Sequence, residues 1–261
     1  MRNKENIVGM MLRGTAGALK FAAGAVFAAM CIIQIAAQTN TPPVPKWDAS
    51  VALGATATRG NSDTLLFTLS ARGDKVWTSN ELHLGADGTY GEFDGVKNNE
   101  SIRGFAQYNR LFTDRWYGYA RAEGLHDGIA DIDYRFSVGP GVGYYILKKP
   151  NTAFSVESGP SFVMEKQGGE KHNYFTVRLA EKFEHKFNDR VRFWEMVEFL
   201  PQVDNFDNFI VNAEMGVESG LSKAWALRLV LQDTYDNEPA PGRKQNDFRL
   251  IGAIAWKLIH P

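Results

Sequence analysis

Tyr134-Arg135-Phe136-Ser137-Val138-Gly139-Pro140-Gly141-Val142-Gly143-Tyr144-Tyr145-Ile146 is the stretch that decides the fold of this chain. Successive side chains on a β-strand point to opposite faces. The even positions are therefore one apolar face, and the odd positions, with Arg135, Ser137 and three glycines, are a small or polar one. Aromatic residues stand at both ends of the apolar face, with aliphatic ones between them. A strand that crosses a bilayer within a β-barrel has this pattern, apolar outward, polar inward, with aromatic girdles at the interfaces. Gly139, Gly141 and Gly143 sit inside the strand pattern, so they are no nucleotide loop. Small inward residues there ease crowding or sharpen curvature.

Working outward, the same period of two recurs. Apolar rows run through Val51–Leu53–Ala55, Leu65–Phe67–Leu69, Leu82–Leu84–Ala86 and, after the central strand, Phe154–Val156, Phe175–Val177–Leu179, Val211–Ala213–Met215, Leu227–Leu229–Leu231 and Phe248–Leu250. The segment from Glu100 to Phe112 is less regular because Arg103 and Phe105 share a face, and residues 191–200 are ambiguous in register. Glu181 and His185 have the parity of Phe175 and Leu179, which implies a place near a rim or a bulge that shifts the register. The reading is all-β: a single transmembrane antiparallel up-and-down β-barrel of about twelve strands, in one domain over residues 47–258.

The connections support an up-and-down order. Short turns at Thr113–Arg115, Lys148–Asn151, Asn188–Arg190 and Ser222–Ala224 alternate with longer polar stretches at Gly91–Asn99, His126–Asp133, Glu165–Asn173, Pro201–Asn208 and Asn237–Asn246. Consecutive connections of such a barrel lie at opposite rims, so the short set shares one rim and the long set the other. Outer-membrane barrels have short periplasmic turns and longer external loops. Arginine placement is a second check. An Arg facing lipid at mid-membrane costs roughly 2–4 kcal/mol, and Arg72, Arg135, Arg178, Arg228 and Arg249 all lie opposite the apolar face of their strands.

The ends and the composition bound the rest. Arg2, Lys4, Arg13 and Lys20 precede the apolar run Phe21–Ile33, and Ala36 and Ala37 follow it, which reads as a signal peptide over residues 1–37. The run is too short for a spanning helix of roughly 20 residues. Residues 38–46, with Pro42, Pro43 and Pro45, form a short extended lead-in. Cys31 is the only cysteine, so cleavage after Ala37 leaves no thiol, disulfide or cysteine–metal site. With 29 basic and 30 acidic residues the chain makes no electrostatic case for nucleic acid.

Several landmarks together resemble a known family. They are Gly60–Asn61–Ser62–Asp63–Thr64, then Asp133–Tyr134–Arg135–Phe136 leading into Gly139, Gly141 and Tyr144–Tyr145, then Tyr235, Pro239, Gly242, Lys244 and Asp247 before the last strand. The set resembles the YdiY-like family of salt-induced outer-membrane proteins, a family of unknown function, over roughly Trp47 to Leu258. The resemblance implies an outer-membrane barrel of Gram-negative-type bacteria, reached after signal cleavage and possessing no assigned catalytic residues. It also implies a link to salt or osmotic stress. The chain departs from barrels that end in an aromatic residue read by the insertion machinery, since Ile259–His260–Pro261 follow Leu258.

Three chemistries can be placed on this frame. A polar interior of Arg72, Arg103, Arg121, Glu123, Arg135, Glu157, Arg178, Arg228 and Arg249, with Tyr117, Tyr119 and Tyr145, makes either a narrow pore that selects small solutes or ions, or a lumen plugged by Arg–carboxylate pairs. Acidic stretches (Asp127, Asp131, Asp133; Asp204, Asp207; Asp236, Glu238) lack the spacing of a calcium loop, so no metal site is assigned. Catalysis, as in a lipid-modifying barrel, would need a nucleophile beside a base. His83, predicted inward with Asp87 on the same face, is the best imidazole, but no Gly-x-Ser-x-Gly elbow occurs, and neither catalytic residue nor cofactor is assigned. Trp47, Tyr90, Trp116, Trp225 and Trp256 near strand ends read as membrane-interface anchors. The expected partners are outer-membrane lipids and the barrel-assembly machinery. A soluble periplasmic β-protein, with apolar faces packed on each other, is the remaining alternative.

Overall fold

The computed structural model describes residues 47–58 and 64–258. The signal segment, the lead-in and the Gly60–Asp63 landmark lie outside them. Twelve strands follow in chain order: β1 (Trp47–Thr58), β2 (Thr64–Val76), β3 (Asn80–Phe93), β4 (Val96–Leu111), β5 (Trp116–Asp127), β6 (Ile132–Lys149), β7 (Thr152–Gln167), β8 (Glu170–Lys186), β9 (Val191–Pro201), β10 (Phe209–Gly220), β11 (Trp225–Asp236) and β12 (Asn246–Leu258). Each pairs antiparallel with its neighbours in sequence, and β1 meets β12 to close the barrel. The fold is an all-β, up-and-down barrel.

The period of two sets the two surfaces. On β6, Phe136, Val138 and Val142 stand exposed while Gly143 is buried and Arg135 is turned inside. Around the barrel Leu53, Leu69, Ile102, Phe175, Leu229, Leu250 and Ile254 are each more than half exposed. The buried set is largely polar: Gln107, Asn109, Glu157, Arg178, Glu198 and Arg228. A water-soluble domain has the opposite order, with apolar residues inside. The small apolar cluster Ala52, Ala226 and Ala255 lies where β1, β12 and β11 meet.

Two expectations change. Two of the longer stretches, 91–99 and 165–173, are mostly strand, and 126–133 is half strand, because β3–β8 run on past the apolar belt. Asp94–Gly95 alone joins β3 to β4, with φ of 48° and 74°, and Gly168–Gly169 alone joins β7 to β8, with φ of 59° and 83°. Asp-Gly and Gly-Gly supply the two positive φ angles of a tight hairpin turn, and the polar flanks keep their backbone groups satisfied by continuing the ladder. The connections 202–208 and 237–245 on the same rim remain long. The second change concerns β8, whose ladders to β7 and β9 hold without a register shift. No bulge rescues Glu181, which lies outward well inside the strand between Leu179 and Phe183, paired with Val197. His185 does sit at the strand end, its ring against Phe187.

Candidate functional site: the barrel interior

The interior is built around Tyr117 and Tyr119 of β5, both buried. Their cross-strand partners on β6 are Gly143 and Gly141, and a Cβ at either glycine would collide with the facing tyrosine ring. The inward glycines of the deciding stretch are therefore notches that hold two phenol rings inside the barrel.

Glu157 of β7 is the centre of this level. Its carboxylate accepts hydrogen bonds from Arg178 Nη1 (2.7 Å), Gln107 Nε2 (2.8 Å), the Tyr117 hydroxyl (2.8 Å) and Lys182 Nζ (2.9 Å). Arg178 also donates through Nε to Glu198 and through Nη1 to the Tyr119 hydroxyl (3.2 Å). Gln107 passes the chain on to Asn109 (3.0 Å), and Asn109 to Glu81 (3.0 Å). Gln107 is 0% exposed, Glu157 4% and Arg178 4%. Side chains of β4, β5, β7, β8 and β9 thus meet in one buried cluster inside the barrel at this level.

Further pairs flank it. Arg103 donates to Glu123 (2.7 Å), which also pairs with Arg121. The Phe105 ring lies between these groups, with the Arg121 guanidinium 4.4 Å and that of Arg72 5.7 Å from its centre. An aromatic residue on the polar face of β4 is explained by these cations, which favour a ring face. Arg72 donates to Asp87 (2.9 Å), and Glu214 accepts from Trp194 (2.9 Å) and Gln232 (2.9 Å). Towards the short-turn rim, Glu218 gathers Arg228 (2.6 Å), Lys257 (2.9 Å) and Arg192 (3.6 Å). Towards the long-loop rim, Arg135 pairs with Glu165 and with Asp236 (3.1 Å), and Arg249 with Asp127 (2.8 Å). Between that rim and the waist lies a cavity of about 130 Å³, bordered by Arg135, Arg249 and Arg243 and reaching down to Tyr119, Arg121 and Arg178.

The nine polar residues singled out from sequence are all drawn into this web, but most of their partners were not singled out with them. Glu214 and Glu218 share a parity that opposes Met215 and Val217, a usable signal. Glu198 was hidden because 191–200 carries bulky residues on both faces, with Trp194 and Met196 inward beside it. Lys182 was masked by the misfit of Glu181 next to it. His83 does not work with Asp87, which pairs with Arg72. Its Nδ1 meets Asp74 at 2.6 Å across β2, and its Nε2 lies 3.4 Å from Asn109 and 3.7 Å from Glu81. This is an imidazole held between carboxylates rather than a base set against a nucleophile. Of the acidic loop residues, Asp127 accepts from the backbone N–H of Ile129 and Ala130, and Asp133 pairs with Lys166.

Aromatic residues cluster near the short-turn rim. Trp116 packs on Tyr144 (4.8 Å between centres) and Trp225 on Trp256 (6.4 Å), while Lys75 lies 5.3 Å over Trp47. Tyr90 is near the other rim, its hydroxyl on Glu92.

Comparison with known proteins gives fold and family. The NanC porin superposes with a TM-score of 0.50 at 6% identity, over 81% of this chain and 100% of that one. The translocator domain of the autotransporter NalP from Neisseria meningitidis gives 0.45 at 11% identity, over 96% and 98%, and the KdgM porin 0.43 at 8%, over 82% and 100%. At 6% identity the likeness to the NanC porin is one of fold alone. No curated protein matches the chain. Residues 51–254 match the family described as "Protein of unknown function, DUF481". The sequence landmarks pointed to a family of unknown function, and the match spans most of the barrel: the chain belongs to the DUF481 family.

Proposed function

We propose that this chain is a non-enzymatic outer-membrane β-barrel whose lumen is shut at the waist by a web of buried ion pairs and wetted above it by a vestibule at the long-loop rim. The observation that carries the reading is the burial of Gln107, Glu157 and Arg178 in one hydrogen-bonded cluster that crosses the lumen. The outward row of Leu, Ile, Val and Phe supports a lipid surround, because an apolar patch of that extent is not tolerated on a soluble monomer. Trp47, Trp116, Trp225 and Trp256 then anchor the periplasmic interface and Tyr90 the outer one. The long-loop rim faces outward. Signal cleavage and the barrel-assembly machinery bring the chain there. The salt-stress link, which comes from the family resemblance, has a physical counterpart: vestibule charges are screened by added salt, while the dry pairs of the waist are screened far less.

The test is conductance of the detergent-folded full chain in a planar bilayer. The wild-type barrel is expected to stay silent from low to high salt. Removing two members of the waist together, Glu157→Ala with Arg178→Ala, is expected to give discrete steps whose ion selectivity shifts with charge reversal at Arg135. Steady porin-like conductance of the wild-type protein would overturn the shut waist and leave the narrow-pore form of the reading.

A further inference from the structure

The twelve strands do not close equally. Among the described residues, β1 and β12 share five pairs, Ala49–Leu53 against Ile254–Leu258. Among the described residues, every other neighbouring pair of strands shares eight or more. The ladder ends at two glycines: a Cβ on Gly54 would strike the Gly252 carbonyl, so the backbones touch there. Beyond this point Gly54–Thr58 of β1 pairs only with β2, and Asn246–Ala253 of β12 only with β11. The unzipped half lies on the long-loop side, at the height of the vestibule, where Phe248 and Leu250 stand exposed on the outer face and Arg249 points inward between them.

Side chains brace the two edges as well, one over the seam and one across the lumen. In the zipped half, Arg228 Nη2 of β11 donates to Ser50 of β1 (2.9 Å). In the unzipped half, Arg249 ties β12 to the far wall, to Ser101 of β4 (3.0 Å) and Asp127 of β5 (2.8 Å).

We propose that the unzipped half of the β1–β12 seam is a lateral passage between the vestibule and the bilayer, with Gly54–Gly252 as its pivot and Arg249 as its latch. The passage joins a charged chamber to an apolar outer face, so the molecule that fits both is a single-tailed amphiphile. Its tail lies along Phe248 and Leu250, and its polar head meets Arg249 once that side chain leaves Asp127. An unpaired strand edge left facing lipid is unfavourable, and among the described residues this seam has the shortest ladder to open.

The inference rests on the outer-membrane reading, which alkaline carbonate tests separately: protein that washes out of vesicles removes both. On retained protein, the full chain with Cys31→Ser is reconstituted with dodecanoic acid spin-labelled near its carboxylate. A saturable, motionally restricted spectral component is expected. Oxidation of Ala55→Cys/Gly252→Cys, placed across the gap, is expected to abolish that component, and a reductant to restore it. Leu53→Cys/Ile254→Cys, which locks residues already paired, is expected to retain it. Persistence in the locked gap variant, or no restricted component in the unlocked protein, overturns the passage. Should the gap cysteines not join, Asp127→Asn decides: it weakens the latch while leaving Arg249 for the carboxylate, so the restricted fraction is expected to rise, and no rise refutes the passage.

Discussion

Replacing Arg178 by Met isolates what the waist contributes to the barrel. The side chain is 5% exposed, and it contacts Glu157 (2.7 Å), Glu198 and the Tyr119 hydroxyl. Breaking a buried pair by removing one partner costs about 3–5 kcal/mol, because the other charge is left uncompensated. The loss is unequal here. Glu157 retains Lys182, Gln107 and Tyr117 within 2.9 Å. Glu198 is left with Asn212 at 3.2 Å and Arg103 at 4.0 Å. The cost therefore falls mainly on Glu198, and Arg178→Met is expected to destabilise the folded barrel by about 3 kcal/mol, the lower end of that range. Neutralising the orphan in Arg178→Met/Glu198→Gln should recover part of it, with a coupling of about 0.5–3 kcal/mol. The assay is reversible urea unfolding in lipid vesicles, followed by tryptophan fluorescence. A single-variant cost below about 1 kcal/mol, or strict additivity in the double variant, would refute the argument that these groups form one buried network.

Two further expectations concern the wall. Gly143→Ala places a methyl group against the Tyr117 ring, and the overpacking should cost about 1–3 kcal/mol in the same unfolding assay; combining it with Tyr117→Phe should not relieve the clash, whereas Tyr117→Leu should. Glu181→Leu removes a carboxylate from the outward apolar face, and stability in vesicles should rise by about 1 kcal/mol, since lipid-facing acids cost less than lipid-facing Lys or Arg. A loss of stability instead would mean that Glu181 has a partner on that surface.

The fold was legible because the decisive signal is local and repeats. Alternation along a strand depends on nothing but the opposite pointing of neighbouring side chains, so β6 could be read from Tyr134 to Ile146 without knowing its neighbours. Parity also separated Arg72, Arg135, Arg178, Arg228 and Arg249 from the apolar rows. What a single strand does not encode is which strand lies across the lumen. The Arg178–Glu157–Lys182 group is set by how β7 and β8 are in register, and the Arg249–Asp127 pair by closure of the whole ring. The two-residue hairpins have a signal in Asp94–Gly95 and Gly168–Gly169, yet the stretches 91–99 and 165–173 read whole as longer loops, because polarity marks where the apolar belt ends and not where pairing ends. Phe105 went unexplained for the same reason: its ring is inward on account of Arg72 and Arg121, which come from other strands.

The filled waist and the short seam answer one geometric problem. Eight strands enclose a space that ordinary side chains fill, and sixteen leave an aqueous channel. Twelve need long side chains to meet in the middle, and in this chain Arg, Tyr, Gln and Glu supply the length. Long charged groups are stable in such a place only when paired; many pair with the next strand, as Arg178 does with Glu157 and Glu198, and others reach across to a distant one. Each pair that reaches across is then also a strut of the barrel. Arg135 to Asp236 and Arg249 to Asp127 are struts of this kind, while Arg228 to Ser50 spans the seam itself, over β12. They let β1 and β12 stay joined with few backbone hydrogen bonds, because the ring is held from within as well as along its wall. A barrel closed only by its ladder opens where strands part; one closed partly by cross-lumen charges opens where those charges exchange partners. In this chain the sparse ladder and the charge best placed to exchange, Arg249, lie at the same height.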